Sequence, residues 1–160
     1  MPAYEKITEQ FKQFILDDAD TSMALGDEAH LGDLGDPSLE HMELRTQQAQ
    51  KLLSQLHAIK GGTFDEQLDL DLMARHLQQD IFFSQLQQHG LPQRCSQPNG
   101  VDGISAGIFQ LFVNDERSPE LRLNDILNRL LQAPSYLATE TEVIVEPISR
   151  WRDIELEQGE

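Results

Sequence analysis

The five histidines stand at positions 30, 41, 57, 76 and 89, and no two of them are three or four residues apart. A helical zinc site of the His-Glu-x-x-His type needs two imidazoles one turn apart on one face, with the glutamate acting on the metal-bound water. That spacing is absent. The nearest approach to a ligand pair is His76 with Asp80 one turn on, an arrangement that more often makes a surface hydrogen bond than a cation site. A calcium loop beginning at Asp18 would place Asp20 and Ser22 at ligand positions, but Met23 falls where the sharp turn demands glycine. Cys95 follows Arg94, whose charge favours a thiolate, yet no histidine accompanies it, so it reads as an unreactive loop or core thiol. Neither a phosphate-cradling glycine loop nor a nucleophile elbow occurs. These readings assign no catalytic residue, no metal ligand and no cofactor to this chain.

Charge narrows the partners. Twelve Lys plus Arg against 28 Asp plus Glu leave a formal net charge of −16 over 160 residues. Duplex nucleic acid and anionic membranes both recruit Lys and Arg, so neither is an expected partner. The apolar share is 39%, or about 45% once glycine is counted, enough for one packed domain at this length. A single cysteine allows no internal disulfide and fits a reducing compartment. The start of the chain carries no apolar run behind a basic stretch, and the longest apolar runs, such as Ile81–Phe83, are far short of a membrane span. The expectation is a soluble, cytoplasmic product.

The elements that must position any site are helical. Tyr4, Ile7, Phe11, Phe14 and Ile15 follow a 3.6-residue period and predict a first helix over about residues 3–18. Ser38 is placed to cap a second, which turns Leu39, Met42, Leu52, Leu53, Leu56 and Ile59 inward until Gly61-Gly62 ends it. Thr63 and Glu66 have the capping-box spacing for a third, in which Leu68, Leu72, Met73, Leu77, Ile81 and Leu86 keep the helical period until Gly90 and Pro92 stop it. Ile104, Ile108, Leu111 and Phe112 mark a fourth. Ser118-Pro119 opens a fifth that buries Leu123, Ile126, Leu127, Leu130 and Leu131. Pro134 is expected to break or kink the chain, and a sixth helix then carries Tyr136, Val143, Ile144, Ile148 and Trp151 across Pro147. Val143–Val145 is the one stretch where a strand competes. Residues 17–37 and 90–103 read as two long loops. The fold class is therefore all-α: an irregular bundle of about six helices with two long loops, in a single domain over 1–160.

Met23-Ala24-Leu25-Gly26-Asp27, the stretch Arg45 to Ile59, Asp69-Leu70-Asp71-Leu72 and Arg129-Leu130-Leu131-Gln132-Ala133-Pro134-Ser135-Tyr136-Leu137 occur in an order and spacing that resemble the N-terminal region of a bacterial family, domain of unknown function 885. Its members look like helical zinc metallopeptidases. They usually follow Gly-Asp with His, Arg and a further Asp, where this chain has Glu28-Ala29-His30. In the family the His-Glu-x-x-His motif lies well beyond the matched region, and full members are several times longer. The resemblance implies that residues 1–160 are the N-terminal part of a longer protein, non-catalytic themselves, packing against a C-terminal zinc domain and helping to wall its substrate cleft. It points to Asp27, His30 and Tyr136 as cleft or loop contacts. Zinc belongs to that downstream domain. The alternative is a free-standing acidic helical interaction module. Under the first reading the apolar stripe over 134–154, with Trp151 as reporter, is expected to be partly exposed in this chain alone, giving self-association through the last helix or disorder near its C-terminal end, whereas a monomer with Trp151 buried would favour the free-standing module.

Overall fold

A computed structural model describes residues 3–159, which form seven α-helices and one two-stranded hairpin. The all-α expectation holds. α1 (Ala3–Leu16), α3 (Leu39–Ala58) and α4 (Phe64–Gln85) build the main core. Ile7, Phe14 and Ile15 of α1 meet Ala49, Leu52 and Leu56 of α3 and Met73 and Leu77 of α4. The predicted starts of α3 and α4 are both present. Ser38 Oγ accepts from His41 N, and Thr63 and Glu66 each bond the other's backbone N–H, satisfying donors that the first turn leaves orphaned. α4 stops at Gln85, short of Gly90, and Leu39, Leu68 and Leu72, on the expected apolar stripes, are exposed because they lie outside the α1–α3–α4 cluster. α3 ends at Ala58, before the glycines. Ile59 is already extended, and its N–H bonds back to Leu56 O.

Both predicted loops contain regular structure. Within 17–37 lies a short helix, α2 (Ala19–Ala24), capped by Asp18, whose carboxylate accepts from Thr21 N. Its six residues are too few to show an apolar period. Gln87–Gln88 (β1) pairs antiparallel with Leu91–Pro92 (β2) across His89-Gly90. Both turn residues have positive φ, as a tight hairpin turn requires. A 3-10 turn at Gln93–Cys95 follows, and α5 (Gly100–Val113) begins inside the expected loop.

The C-terminal helices differ from expectation in where they break. α6 (Pro119–Val143) runs through Pro134. Pro134 and Leu130 are both exposed, so the ring projects outward and the Leu130 carbonyl that loses its helical donor stays open to water. The interruption comes at residues 144–148. Glu146 precedes Pro147 and is pushed away from helical geometry, while tertiary bonds hold the gap: Val145 N donates to Cys95 O at 2.8 Å and Ile148 N to Ser96 O at 3.0 Å. Val145 thus pairs with the 3-10 turn, and Val143–Val145 forms no strand. α7 (Ser149–Gln158) follows, with Gly159 at its C-cap.

The largest correction concerns α6 itself. Leu123, Leu127, Leu130 and Leu131, expected inside, are 49% to 70% exposed. The inward stripe is polar: Asp125, Arg129, Gln132, Tyr136 and Glu140, spaced at three and four residues, face the acidic segment. Arg129 is wholly buried, and its Nε donates to Leu31 O at 2.7 Å. Gln132 Nε2 donates to Gly32 O at 2.7 Å and its Oε1 accepts from Leu34 N. These side chains satisfy the loop backbone that the fold encloses, a demand that no apolar stripe could meet. Along the 134–154 stripe Val143 is buried, Tyr136, Ile144, Ile148 and Trp151 are half-buried, and Ile154 is exposed.

Candidate functional site

A polar cleft of about 440 Å3 opens where the acidic segment meets α3 and α6. Its parts are set by local structure. The end of α1 and the cap of α2 bring Asp17, Asp18 and Asp20 to one wall, the turn before α3 brings Asp36, and α6 brings Tyr136 and Glu140 on its inward stripe. Arg45 and His41 of α3 and Arg94 of the 3-10 turn bring the basic side chains of the lining. Five carboxylates against two guanidiniums make the cleft net negative. On the far side of Arg45 and Arg94 a second cleft of about 400 Å3 is lined by His76, Asp80 and Phe83.

Most of these groups are already engaged. Asp36 Oδ1 accepts from Ser38 N at 2.8 Å, which holds its carboxyl below the usual range. Arg45 Nη1 donates to Phe14 O, its guanidinium lies 4.2 Å from the centre of the Phe14 ring, and its Nη2 is 3.8 Å from Asp80. His76 Nε2 lies 3.9 Å from the same carboxylate, too far for a hydrogen bond. Arg94 Nε, enclosed yet unpartnered, is the unmatched donor among the cleft's guanidiniums. Partial burial lifts Asp20 above the ordinary carboxylate range, with the Arg129 guanidinium pulling back.

Two carboxylates close the N-terminal end of α5. Glu140 Oε1 accepts from Asn99 N at 2.7 Å, and Glu155 of α7 accepts from Val101 N. The positive end of the helix favours this placement. A Cβ at Gly100 would overlap Glu140 Oε2 and Leu137 Cδ2, so a larger residue here would have to displace the ends of those two side chains. Burial nevertheless raises the Glu140 carboxyl, and Glu155 adds to the shift. Burial likewise raises the Tyr136 phenol, reinforced by Glu140, Asp20, Asp18 and Glu155. Tyr136 is therefore a neutral hydroxyl in the cleft wall, able to donate and accept but not to act as phenolate.

The three residues singled out from sequence are not brought together. Tyr136 lines the polar cleft. Asp27 borders a separate hollow beside Gln110 and Arg117, where its carboxylate accepts from Ala29 N. His30 Nδ1 lies 3.1 Å from Asp33 Oδ2 at the surface. The calcium spacing dissolves as well: Asp18 caps α2, Asp20 lies 3.4 Å from Arg129, and Ser22 is fully buried. Cys95 is buried. Among the described residues no group of three or more His, Cys, Asp or Glu is placed to share a metal ion. The cleft offers charge for binding. Its excess of carboxylates suits an amine or guanidinium, and its described lining holds no Ser, Thr or Cys side chain.

Sequence reading missed Arg129, Glu140 and Arg94. A signal for the first two was present in the 125, 129, 132, 136, 140 spacing, which is as regular as the leucine stripe beside it. Comparison with protein-family models, with curated proteins and with solved structures gives no match. Among the described residues no helix is long and apolar enough to cross a membrane.

Proposed function

We propose that this chain is a non-catalytic helical domain that walls the substrate cleft of a zinc metallopeptidase, the role implied by its resemblance to the domain of unknown function 885 family. The observation that carries the reading is the inverted α6, which lines a net-negative cleft with Tyr136 and Glu140. In this role the cleft borders the path of a peptide, and its carboxylates receive the amino terminus or basic side chains. Zinc and the groups that activate water belong to the downstream domain. The setting is cytoplasmic.

The test uses the full-length protein with its zinc domain. Glu140→Gln and Tyr136→Phe should raise KM for peptides with a free amino terminus or basic residues about 3- to 10-fold, the loss of one charge-assisted or neutral hydrogen bond. Zinc content and kcat should stay as they are. An unchanged KM for both variants would remove the cleft from the substrate path. A reading frame that encodes no His-Glu-x-x-His beyond Glu160 would favour the second reading, a free-standing acidic interaction module. The exposed leucines of α6 are the observation in its favour.

A further inference from the structure

We propose that the outer face of the α5–α6 hairpin is a dimer interface, closed by the same face of a second copy of this chain. Phe109 and Phe112 on α5 and Leu123, Leu127, Leu130 and Leu131 on α6 are each 49% to 70% exposed. At roughly 150–200 Å2 of surface per side chain of this size, the six leave on the order of 600 Å2 of apolar area bare. One side of a standard protein interface covers about 800 Å2. The six side chains alone therefore supply about three-quarters of one partner's share of a stable dimer. The bare face stands at the upper end of the roughly 300–600 Å2 that the largest apolar patch of a monomer covers, the size at which such patches often serve as contact sites.

The spacing says what kind of surface fits it. Leu123, Leu127, Leu130, Pro134 and Leu137 alternate steps of four and three residues, the seam that packs against another helix at about 20°. Beside this seam a shallow groove of about 590 Å3 runs between α5 and α6. Its lining includes no ionisable side chain. A basic partner would thus gain nothing from the net charge of −16 at this contact and would have its own charges to desolvate. A second hairpin brings the same uncharged seam. Two hairpins facing each other complete a four-helix arrangement around one apolar core. Repulsion between two acidic copies acts through their rims, where physiological salt screens it beyond about 8 Å.

Sedimentation equilibrium of the intact chain at physiological salt and tens of micromolar protein should return twice the monomer mass of 18.2 kDa. Leu127→Glu should weaken association at least about 100-fold, since it buries a charge in each copy's half of the seam. Leu130→Gln is the milder companion, and circular dichroism checks that both variants keep their helices. Phe64→Glu, at a side chain 78% exposed on α4, should leave the dimer intact. A strictly monomeric wild type overturns the proposal and gives the face to another occupant, such as a zinc-bearing domain. Dissociation by Phe64→Glu but not by Leu127→Glu or Leu130→Gln overturns it too. The measurement involves neither zinc nor peptide, so its failure and a failure of the cleft reading are separable.

Discussion

Arg129 is the residue on which the second half of the molecule depends. Its guanidinium is fully enclosed, bonded to Leu31 O, 3.4 Å from Asp20 and in contact with Met23 Sδ. The Cβ of any other residue at 107 would overlap Arg129 Nη1, so Gly107 is the space the guanidinium occupies. Arg129→Ala should lower unfolding free energy by about 2–4 kcal/mol, from an unpaired buried carbonyl plus a void. Gly107→Ala should approach the same loss by displacing the same group. Urea melts read both; a change below about 1 kcal/mol in either would mean that the loop finds other partners. The cleft carboxylates add a pH dependence whose sign is fixed. Glu140 and Asp20 have folded pKa values raised above the ordinary 4.5 and 3.8, so each holds its proton more tightly when folded. Stability therefore rises as pH falls from neutral through those raised values. Asp36 and Asp115 are lowered below 3.8, and the stability they contribute disappears as pH drops below that value. The denaturation midpoint should peak in mildly acidic buffer. Glu140→Gln should flatten the limb between the peak and pH 7, and an unaltered limb would assign that slope to other groups.

At the scale of elements, local signals acted where local chemistry sufficed. Thr63 and Glu66 form their capping box, and Thr63→Ala should cost about 1 kcal/mol, measured by thermal melting. Ser38 and Ser118 likewise cap the helices they were read to open. These starts were legible because a cap needs only residues three apart. The polar cleft was legible only in part: Tyr136 was named, but its partners come from four separate segments, and nothing in sequence spacing joins Arg94 to Asp36. The orientation of α6 was misread for a physical reason. Two stripes run along it, one of leucine and one of Asp, Arg, Gln, Tyr and Glu. Hydrophobicity alone selects the first for burial, whereas the unsatisfied backbone of residues 31–34 selects the second. Pro134 misled through the same face. A proline ends a helix most strongly where the freed carbonyl is buried, and here it lies at an exposed position.

The whole molecule is built in two halves of unequal footing. The main apolar cluster comes from α1, α3 and α4. In α5, α6 and α7 the buried side chains are few, chiefly Leu111, Val143 and Arg129. The halves meet through backbone-directed bonds: Arg129 and Gln132 to residues 31–34, and residues 145 and 148 to the 3-10 turn and its neighbour Ser96. Such bonds contribute only about 1 kcal/mol each, against the 1.5–3 kcal/mol of each fully buried large apolar side chain. Native-state hydrogen exchange on the isolated chain should accordingly find its slowest amides in α3 and α4, and a lower-energy opening that releases α5 to α7 together. Gln132→Ala removes a donor to Gly32 O and an acceptor for Leu34 N. It should lower the free energy of that second opening by about 1–2 kcal/mol and leave the slowest amides of α3 and α4 unchanged. Equal protection in both halves, falling together in the variant, would show one cooperative unit and make the uncovered leucine face of α6 more firmly held than its burial suggests. Raising the protein concentration supplies an independent check. If the seam pairs with a second copy, protection in α5 and α6 should climb with concentration while α3 and α4 remain fixed, because mass action stabilises only the half that the contact covers.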